Sequence, residues 1–549
     1  MDGVTAIANV LKLEGIDWIG CMPSSPLIEA AAVAGIRPIV VRQERTGVHM
    51  ADGFSRINNG RKNGIFVMQA GPGAENAFGG VAQAYADSVP ILLLPAGASR
   101  RRAGIDPVFS PTRSYESITK WAAQINFADR VPELMRRAFT NLRSGKPGPV
   151  LLEIPGDLVN EEIGEESFDY EPPSILRSAG DPEAVSRAAR ALLSAQRPVI
   201  MAGQGVLYAE ATEELRQLAE FLQIPVLTTL EGKSAFPENH PLSLGVGGSS
   251  TTEAVHRFLT SSDLVFGIGC SLIKSNFTVQ IPAGKILIHA TNCDGDINKD
   301  YRSQHPVVGD AKLVLNQFLQ ELKGQAGNAG RPSDPALTSE IRSAKEGWLN
   351  QWMPRLTSDE VPINPYRVVW DVMHAVDLDN SIVTHESGSS REQVTPFWEA
   401  RAPRSFIGWG KSTQLGYSLG LAMGAKMAAP EKQVINFMGD AAFGMVGLDV
   451  ETAVREKIAI TTIVMNNSTM GIYPDSRMPT AVERYQTKNL TGNFSEVALA
   501  LGAYSERITD PNEITPAMRR AQDANQAGRP ALLEFITKEE GVFSKYRFD

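Results

Sequence analysis

The sequence predicts an α/β fold of three domains, each a doubly wound parallel sheet flanked by helices. One observation is a strand–helix–strand pattern near the C-terminal end. Residues 433–438 (QVINFM) form a short apolar run, residues 447–456 (GLDVETAVRE) place Val450, Ala453 and Val454 on one face at helical spacing, and residues 459–465 (AITTIVM) form a second β-branched run. A crossover of this length gives a right-handed parallel βαβ unit. A second observation is that residues 1–165 alternate strand and helix patterns, with 36–41 and 64–68 as strands and 47–56 as a helix. The third is a pair of breaks: 165–181, holding Asp169-Tyr170-Glu171-Pro172-Pro173, and the Gly- and Pro-rich 324–335 (GQAGNAGRPSDP). They divide the chain into expected domains 1–165, 182–325 and 338–549. The middle one opens on a strand at 198–201 and a turn at Gly203-Gln204-Gly205.

Length and composition bound the function. A chain of 549 residues has room for several large cores. A hydrophobic fraction of 43% and a charged fraction of 21% are ordinary for a globular enzyme. The net charge of −9 argues against generic nucleic-acid binding. Three widely spaced cysteines, Cys21, Cys270 and Cys293, indicate neither a disulfide framework nor a zinc site. No apolar run reaches membrane-spanning length and no basic region with an apolar stretch opens the chain, so the expected location is cytoplasmic.

The chemistry concentrates where the predicted strands end. Asp440 follows the first strand of the βαβ unit and Asn467 the second, so the two meet at neighbouring carboxyl ends, where open α/β sheets bind ligands. One carboxylate, one amide oxygen and a nearby backbone carbonyl suit a hard cation such as Mg2+ that keeps other positions for phosphate and water. An Asp in a turn and an Asn pair closing a strand are each common alone; their joint spacing with a helix between is the signal. Glu44 falls at a strand–helix junction. The segment 69–76 (QAGPGAEN) follows a strand and precedes an alanine-rich helix, with glycines that let backbone approach a ligand.

These segments resemble thiamine diphosphate (ThDP) enzymes of the acetolactate synthase-like and 2-keto acid decarboxylase superfamily. The stretch from Gly439-Asp440-Ala441 to Asn466-Asn467 is similar to that family's diphosphate-binding motif, with Ala441 in place of the second glycine. The resemblance implies Asp440, Asn467 and the carbonyl of Thr469 as Mg2+ ligands, with Gly439, Ala442, Met470, Gly471 and Ile472 beside the cofactor. It implies Glu44, in a stretch that continues Ala51-Asp52-Gly53-Phe54-Ser55-Arg56, as the catalytic residue passing a proton to the aminopyrimidine ring. Gly71, Gly73 and Asn76 match a Gly-Pro-Gly-x-x-Asn loop of the family. Residues 384–390 (THESGSS) offer Gly388, Ser389 and Ser390 to diphosphate oxygens. Residues 408–416 (GWGKSTQLG) align with the segment that bends the cofactor: the Thr413 carbonyl faces its amino group and Leu415 lies beneath it, although any Leu there would equally serve as core.

The same resemblance names the three domains pyrimidine-binding, central and diphosphate-binding. It implies active sites at the subunit interface of a homodimer or homotetramer. It also allows FAD or ADP in the central domain, but the Arg-Phe-Asp-Asp segment of acetolactate synthases is replaced by Cys270-Ser271-Leu272-Ile273-Lys274, which speaks against FAD. The leading expectation is a carboligase or decarboxylase of a small 2-keto acid. Local similarity at 439–452, at Gly471-Ile472-Tyr473 and at Tyr115-Glu116 also points to oxalyl-CoA decarboxylases and 2-hydroxyacyl-CoA lyases. Under that reading Tyr115 is a catalytic hydrogen-bond donor to an oxyanion and the substrate is an acyl-CoA. The tail 541–549 carries no CoA pattern, and Arg100-Arg101-Arg102 is the one obvious basic cluster. A ThDP-binding regulatory protein without activity is the non-enzymatic alternative. The missing Arg-Phe-Asp-Asp segment generates a direct prediction: the purified protein shows no stoichiometric flavin absorbance in the visible spectrum, and a full flavin band would refute it.

Overall fold

The computed structural model describes residues 1–546 apart from 328, so one position of the expected 324–335 linker and the last three residues of the 541–549 tail lie outside the described residues. Three parallel six-stranded sheets, each flanked by helices, follow one another along the chain. The first contains β1 (Trp18–Cys21), β2 (Arg37–Val40), β3 (Gly64–Met68), β4 (Ile91–Gly97), β5 (Trp121–Gln124) and β6 (Val150–Pro155) in the order β2-β1-β3-β4-β6-β5. The second contains β7 (Pro198–Ala202), β8 (Val226–Thr229), β9 (Ser243–Gly247), β10 (Leu264–Ile268), β11 (Ile286–Thr291) and β12 (His305–Val308), ordered β12-β11-β10-β7-β8-β9. The third contains β13 (Ser381–His385), β14 (Phe406–Ile407), β15 (Gln433–Gly439), β16 (Thr461–Asn466), β17 (Tyr504–Ile508) and β18 (Ala531–Ile536), ordered β14-β13-β15-β16-β18-β17. The α/β class with three parallel sheets is therefore as the sequence predicts, and the first and third sheets share one strand order.

Central strands such as β3, β4, β6 and β13 are buried at almost every residue, which is why they read as continuous apolar runs rather than alternating ones. In the third sheet β15 and β16 pair in parallel with Gly439 opposite Met465, which sets Asp440 and Asn467 at adjacent strand ends. A helix not foreseen from periodicity begins at Asp440 itself. Six helices matter below: α1 (Glu44–Ile57), α2 (Pro72–Ala86), α3 (Pro335–Leu356), α4 (Ser389–Val394), α5 (Ser418–Ala428) and α6 (Asp440–Val446). The expected boundary at 338 falls inside α3. That helix buries Ile341 and Ala344 in the core of the second sheet and Trp348, Trp352 and Leu356 in a core of the third.

The first and third units share a continuous apolar core through the crossing of α1 and α5. The helix backbones are in direct contact: a Cβ on Gly424 would come 2.0 Å from the Met50 carbonyl oxygen, and one on Gly53 would come 2.2 Å from that of Leu421. Beside this crossing lies a buried ionic joint. The Arg56 guanidinium is 1% exposed and donates to Asp52 at 2.6 Å, to Asp87 at 3.1 Å and to the Gly408 carbonyl at 2.8 Å. Asp87 also accepts from the backbone N–H of Gly410 at 3.2 Å and of Lys411 at 3.1 Å. Burial alone would lower the Arg56 pKa, but the facing carboxylates outweigh it and hold the guanidinium charged. Replacing Arg56 by Met leaves two carboxylates buried without their counter-charge. Breaking a buried pair in this way destabilises by roughly 3–5 kcal/mol, so R56M is expected to lower the denaturation midpoint sharply in urea or thermal melts, whereas E183A on an exposed helix face should not.

Candidate active site

The carboxyl edge of the third sheet has its topological switch point between β13 and β15, where successive connections leave in opposite directions and a crevice opens. A cavity of about 340 Å3 occupies it. Four chain segments bring the predicted residues to its walls, and Phe277, Pro365 and Thr537 add to them from elsewhere. Gly388 with Ser389 and Ser390 enters from the β13 end, Thr413 and Leu415 from the loop before α5, and Gly439, Asp440, Ala441 and Ala442 from the turn into α6. Asn467, Thr469, Met470, Gly471 and Ile472 complete it after β16. The structure thus brings these predicted residues, some eighty apart in sequence, around one space.

Local backbone explains how each is presented. Gly388 has φ +78°, a left-handed conformation that turns the chain from β13 directly into α4. Ser468 has φ +57° and folds the chain back, so that Asn467 and Thr469 face the cavity on either side of it. The Asn467 side-chain oxygen accepts from the Thr469 N–H at 3.1 Å. Asp440 is 4% exposed; its Oδ1 accepts from the Ala441 N–H at 2.8 Å, while its Oδ2 is buried without a hydrogen-bond partner. Burial raises the Asp440 pKa above the usual carboxylate range, against the backbone N–H groups that lower it. A buried carboxylate oxygen with no partner, beside an amide oxygen and a backbone carbonyl, is a donor set that fits a small hard cation. Leu415 both packs on the core and lines the cavity. The Thr413 carbonyl accepts from the Ser387 hydroxyl at 3.2 Å.

Glu44, Gly71, Gly73 and Asn76 form a separate cluster and line none of this cavity. Glu44 opens α1 and is buried, accepting from the Asn76 amide at 3.2 Å. Gly71 caps α2 with φ +66°. A Cβ on Gly73 would sit 2.9 Å from the Gln69 Cβ and 3.5 Å from Glu44 Oε1, so the glycine leaves room for the carboxylate against the start of α2. Tyr115 is fully buried, its hydroxyl donating to the Ala74 carbonyl and its ring meeting Phe78 edge-on at 5.2 Å. Its pKa is pushed up by burial and then by the Glu44 charge. The expected oxyanion donor therefore has its only proton engaged in holding α2. Arg100 pairs with Asp157 and Glu161, and the Arg100-Arg101-Arg102 cluster lines neither cavity described here.

Sequence reasoning passed over Glu386. It is fully buried at the end of β13 and accepts from the Ser387 N–H at 2.8 Å, the Ser418 N–H at 3.1 Å and the Ser418 hydroxyl at 2.9 Å. It thereby ties the Gly388 turn to the start of α5, and burial raises its pKa to about 7 against those hydrogen bonds. Its one sequence signal was its place between a strand and a Gly-Ser turn. A second cleft of about 250 Å3 lies at the switch point of the second sheet, between β7 and β10. There Asp296 is held by Lys146 at 2.9 Å and Asp310 accepts from the N–H groups of Lys312 and Leu313.

Family models for thiamine pyrophosphate (the same cofactor) enzymes match all three units: the N-terminal TPP binding domain over residues 1–124, the central domain over 185–318 and the C-terminal TPP binding domain over 386–535. A probable acetolactate synthase large subunit of Methanocaldococcus jannaschii is 32% identical, the match covering 98% of this chain and 92% of the relative. The chain belongs to the acetolactate synthase-like thiamine pyrophosphate enzymes. Further members include the acetolactate synthase large subunit of Haemophilus influenzae, 28% identical over 95% of this chain and 92% of the relative. The glyoxylate carboligase of Escherichia coli O157:H7 is 28% identical over 98% and 93%. As a thiamine pyrophosphate enzyme the chain carries both TPP binding domains, and among the described residues no helix is long and apolar enough to cross a membrane.

The unpartnered Asp440 oxygen generates a test of the cation site. Asp440→Asn removes a buried negative charge but keeps the oxygen that accepts from Ala441. The metal-free variant should melt higher than wild type, by on the order of 1 kcal/mol in unfolding free energy. Added Mg2+ should then stabilise wild type and leave the variant unchanged. Equal Mg2+ stabilisation of both proteins would remove Asp440 from the cation site.

Proposed function

We propose that this enzyme is a ThDP- and Mg2+-dependent carboligase or decarboxylase of a small 2-keto acid. The observation that carries the reading is the Asp440 carboxylate oxygen, buried and unpartnered beside Asn467 and Thr469 in the same crevice as the Gly388 turn. When bound, ThDP supplies a carbanion that adds to a carbonyl carbon and a ring that takes up the electron pair left by C–C cleavage. Asp440, Asn467 and the Thr469 carbonyl would hold Mg2+ against the diphosphate, with Gly388, Ser389 and Ser390 donating to its oxygens. Met470, Gly471, Ile472 and Ala442 wall the crevice, and Leu415 fills its floor.

Glu44 holds the proton that is exchanged with the aminopyrimidine nitrogen. Because Glu44, Gly73 and Asn76 lie outside the crevice of their own chain, we infer that Glu44 of the partner subunit completes each site, in a homodimer or homotetramer. We assign Tyr115 to anchoring α2 beside Glu44, not to the reaction. The acyl-CoA alternatives lose support because the arginine cluster at 100–102 is partly paired and away from the crevice, and because the relatives are named for acetolactate synthesis and glyoxylate carboligation. A buried Glu44 with Asn76 in place speaks against an inactive regulatory protein. In the second cleft Asp296 and Asp310 already have partners and no Arg-Phe-Asp-Asp segment is present, so we propose that it takes no FAD; ADP remains an alternative occupant.

Glu44→Gln tests the reading. Glutamine keeps the volume and one hydrogen bond to Asn76 but cannot release a proton. The variant should bind ThDP as wild type does, while exchange of the thiazolium C2 proton with deuterated solvent, read by quench and NMR, slows by on the order of a hundredfold. Equal exchange rates would reduce Glu44 to a structural residue. Assays with pyruvate, glyoxylate, benzoylformate, oxalyl-CoA and a 2-hydroxyacyl-CoA would then separate the substrate classes.

A further inference from the structure

Arg391 is a cation in the walls of the crevice that neither the cofactor motifs nor the site described above uses. It is the third residue of α4, lines the same cavity as Asp440 and is 5% exposed. Its guanidinium rests against two rings, 4.6 Å from the centroid of Phe277 and 4.5 Å from that of Trp409. Those rings meet edge-on at 5.4 Å, so the group has little freedom to turn. One nitrogen, Nη2, donates to Glu392. Nε and Nη1 are buried with no partner, and so is the indole Nε1 of Trp409, which lines the same cavity.

The balance of charge leaves this cation available. Glu392 is not reserved for Arg391: it accepts from the Ser249 hydroxyl at 2.8 Å and from that of Ser250, and Lys545 lies 3.7 Å away. Burial pushes the Arg391 pKa down to about 9, the mark of a charge removed from water without full compensation. Arg477, the other cation among the lining residues, is exposed and stacks on Tyr473, so water solvates it. Charged N–H groups buried without acceptors are rare because the desolvation is not repaid within the protein. An anion in the cavity would repay it.

We propose that Arg391, with the Trp409 indole N–H, recognises the carboxylate of an anionic 2-keto acid substrate and so determines specificity. This deepens the reading of the crevice as the ThDP site and rests on it. A free guanidinium N–H, carrying the full positive charge, and the indole N–H together supply donors to the two oxygens of a single carboxylate, and the aromatic rings match its planar neighbourhood. A diphosphate would share the same chemistry, but the crevice offers it a separate set of groups at Asp440, Asn467 and Gly388. A neutral aldehyde would leave these donors without an anionic acceptor.

The test uses the full-length protein loaded with ThDP and Mg2+, and oxamate, an unreactive carboxylate with the shape of pyruvate. Calorimetric titration should detect oxamate binding to wild type, weaker by on the order of tenfold to a hundredfold in Arg391→Met. Arg391→Lys should fall between the two. Trp409→Phe keeps the ring and loses only the N–H, so it should weaken oxamate severalfold; it also carries the test if the Met variant fails to fold. ThDP affinity, titrated separately, should stay at the wild-type value in Arg391→Lys and Trp409→Phe. Unchanged oxamate affinity across the variants, or no oxamate binding to wild type, would overturn the proposal. Loss of ThDP affinity in step with oxamate would also overturn it, by assigning the donors to diphosphate. If wild type binds oxamate through Arg391 but no ThDP, the carboxylate site stands and the cofactor reading fails.

Discussion

The arrangement of the crevice depends on the buried contact between Arg56, Asp52 and Asp87. Two carboxylates from the first unit converge on one guanidinium, and the free lone pairs of Asp87 take the N–H groups of Gly410 and Lys411 in the third. The Gly408 carbonyl closes the set by accepting from Arg56. Gln83 and Gln204 add to the set, respectively donating to Asp87 and accepting from Arg56, and in so buried a cluster undocking of 408–411 would strip partners from several members at once. That segment carries Trp409 and leads within a few residues to Thr413 and Leu415. The position of one wall of the crevice is therefore determined by charges on helices of another unit.

The crossing of α1 and α5 works with this joint. Glycines at 53 and 424 bring backbone onto backbone, so the crossing distance is set by main-chain contact and not by adaptable side chains. Glu44 begins α1, and Ser418, which donates to Glu386, begins α5. Any shift of the helix pair would move both the Glu44 cluster and the turn at Gly388.

The first and third sheets use one strand order, and in a parallel sheet every strand ends at the same edge. Segments far apart in sequence then gather where the order reverses. In the third sheet this collects the turns after β13, β15 and β16. In the first it places Gly71 after β3, near Glu44 after β2. Each gathering holds a buried carboxylate: in one an Asp440 oxygen without a partner among glycines and small hydroxyls, in the other Glu44 against a helix start with Asn76 donating to it.

By itself the sequence determined what is local. Short β-branched runs such as 459–465 and 64–68 bury every residue and so announce their strands, and Asp440 and Asn467 follow from where two such runs stop. The helix at 440–446 escaped notice because seven residues with Gly444 inside show no period. The role of α3 was hidden because its apolar residues face two different cores along one helix. Tyr115 has the right chemistry for an oxyanion donor, and only the fold shows that its hydroxyl donates to the Ala74 carbonyl. Glu386, Arg391 and the Arg56 joint are common charged residues in sequence; what distinguishes them is burial and the presence or absence of a partner. Those properties belong to whichever distant segments meet, and so tertiary packing alone decided which charges are neutralised and which are left facing the crevice.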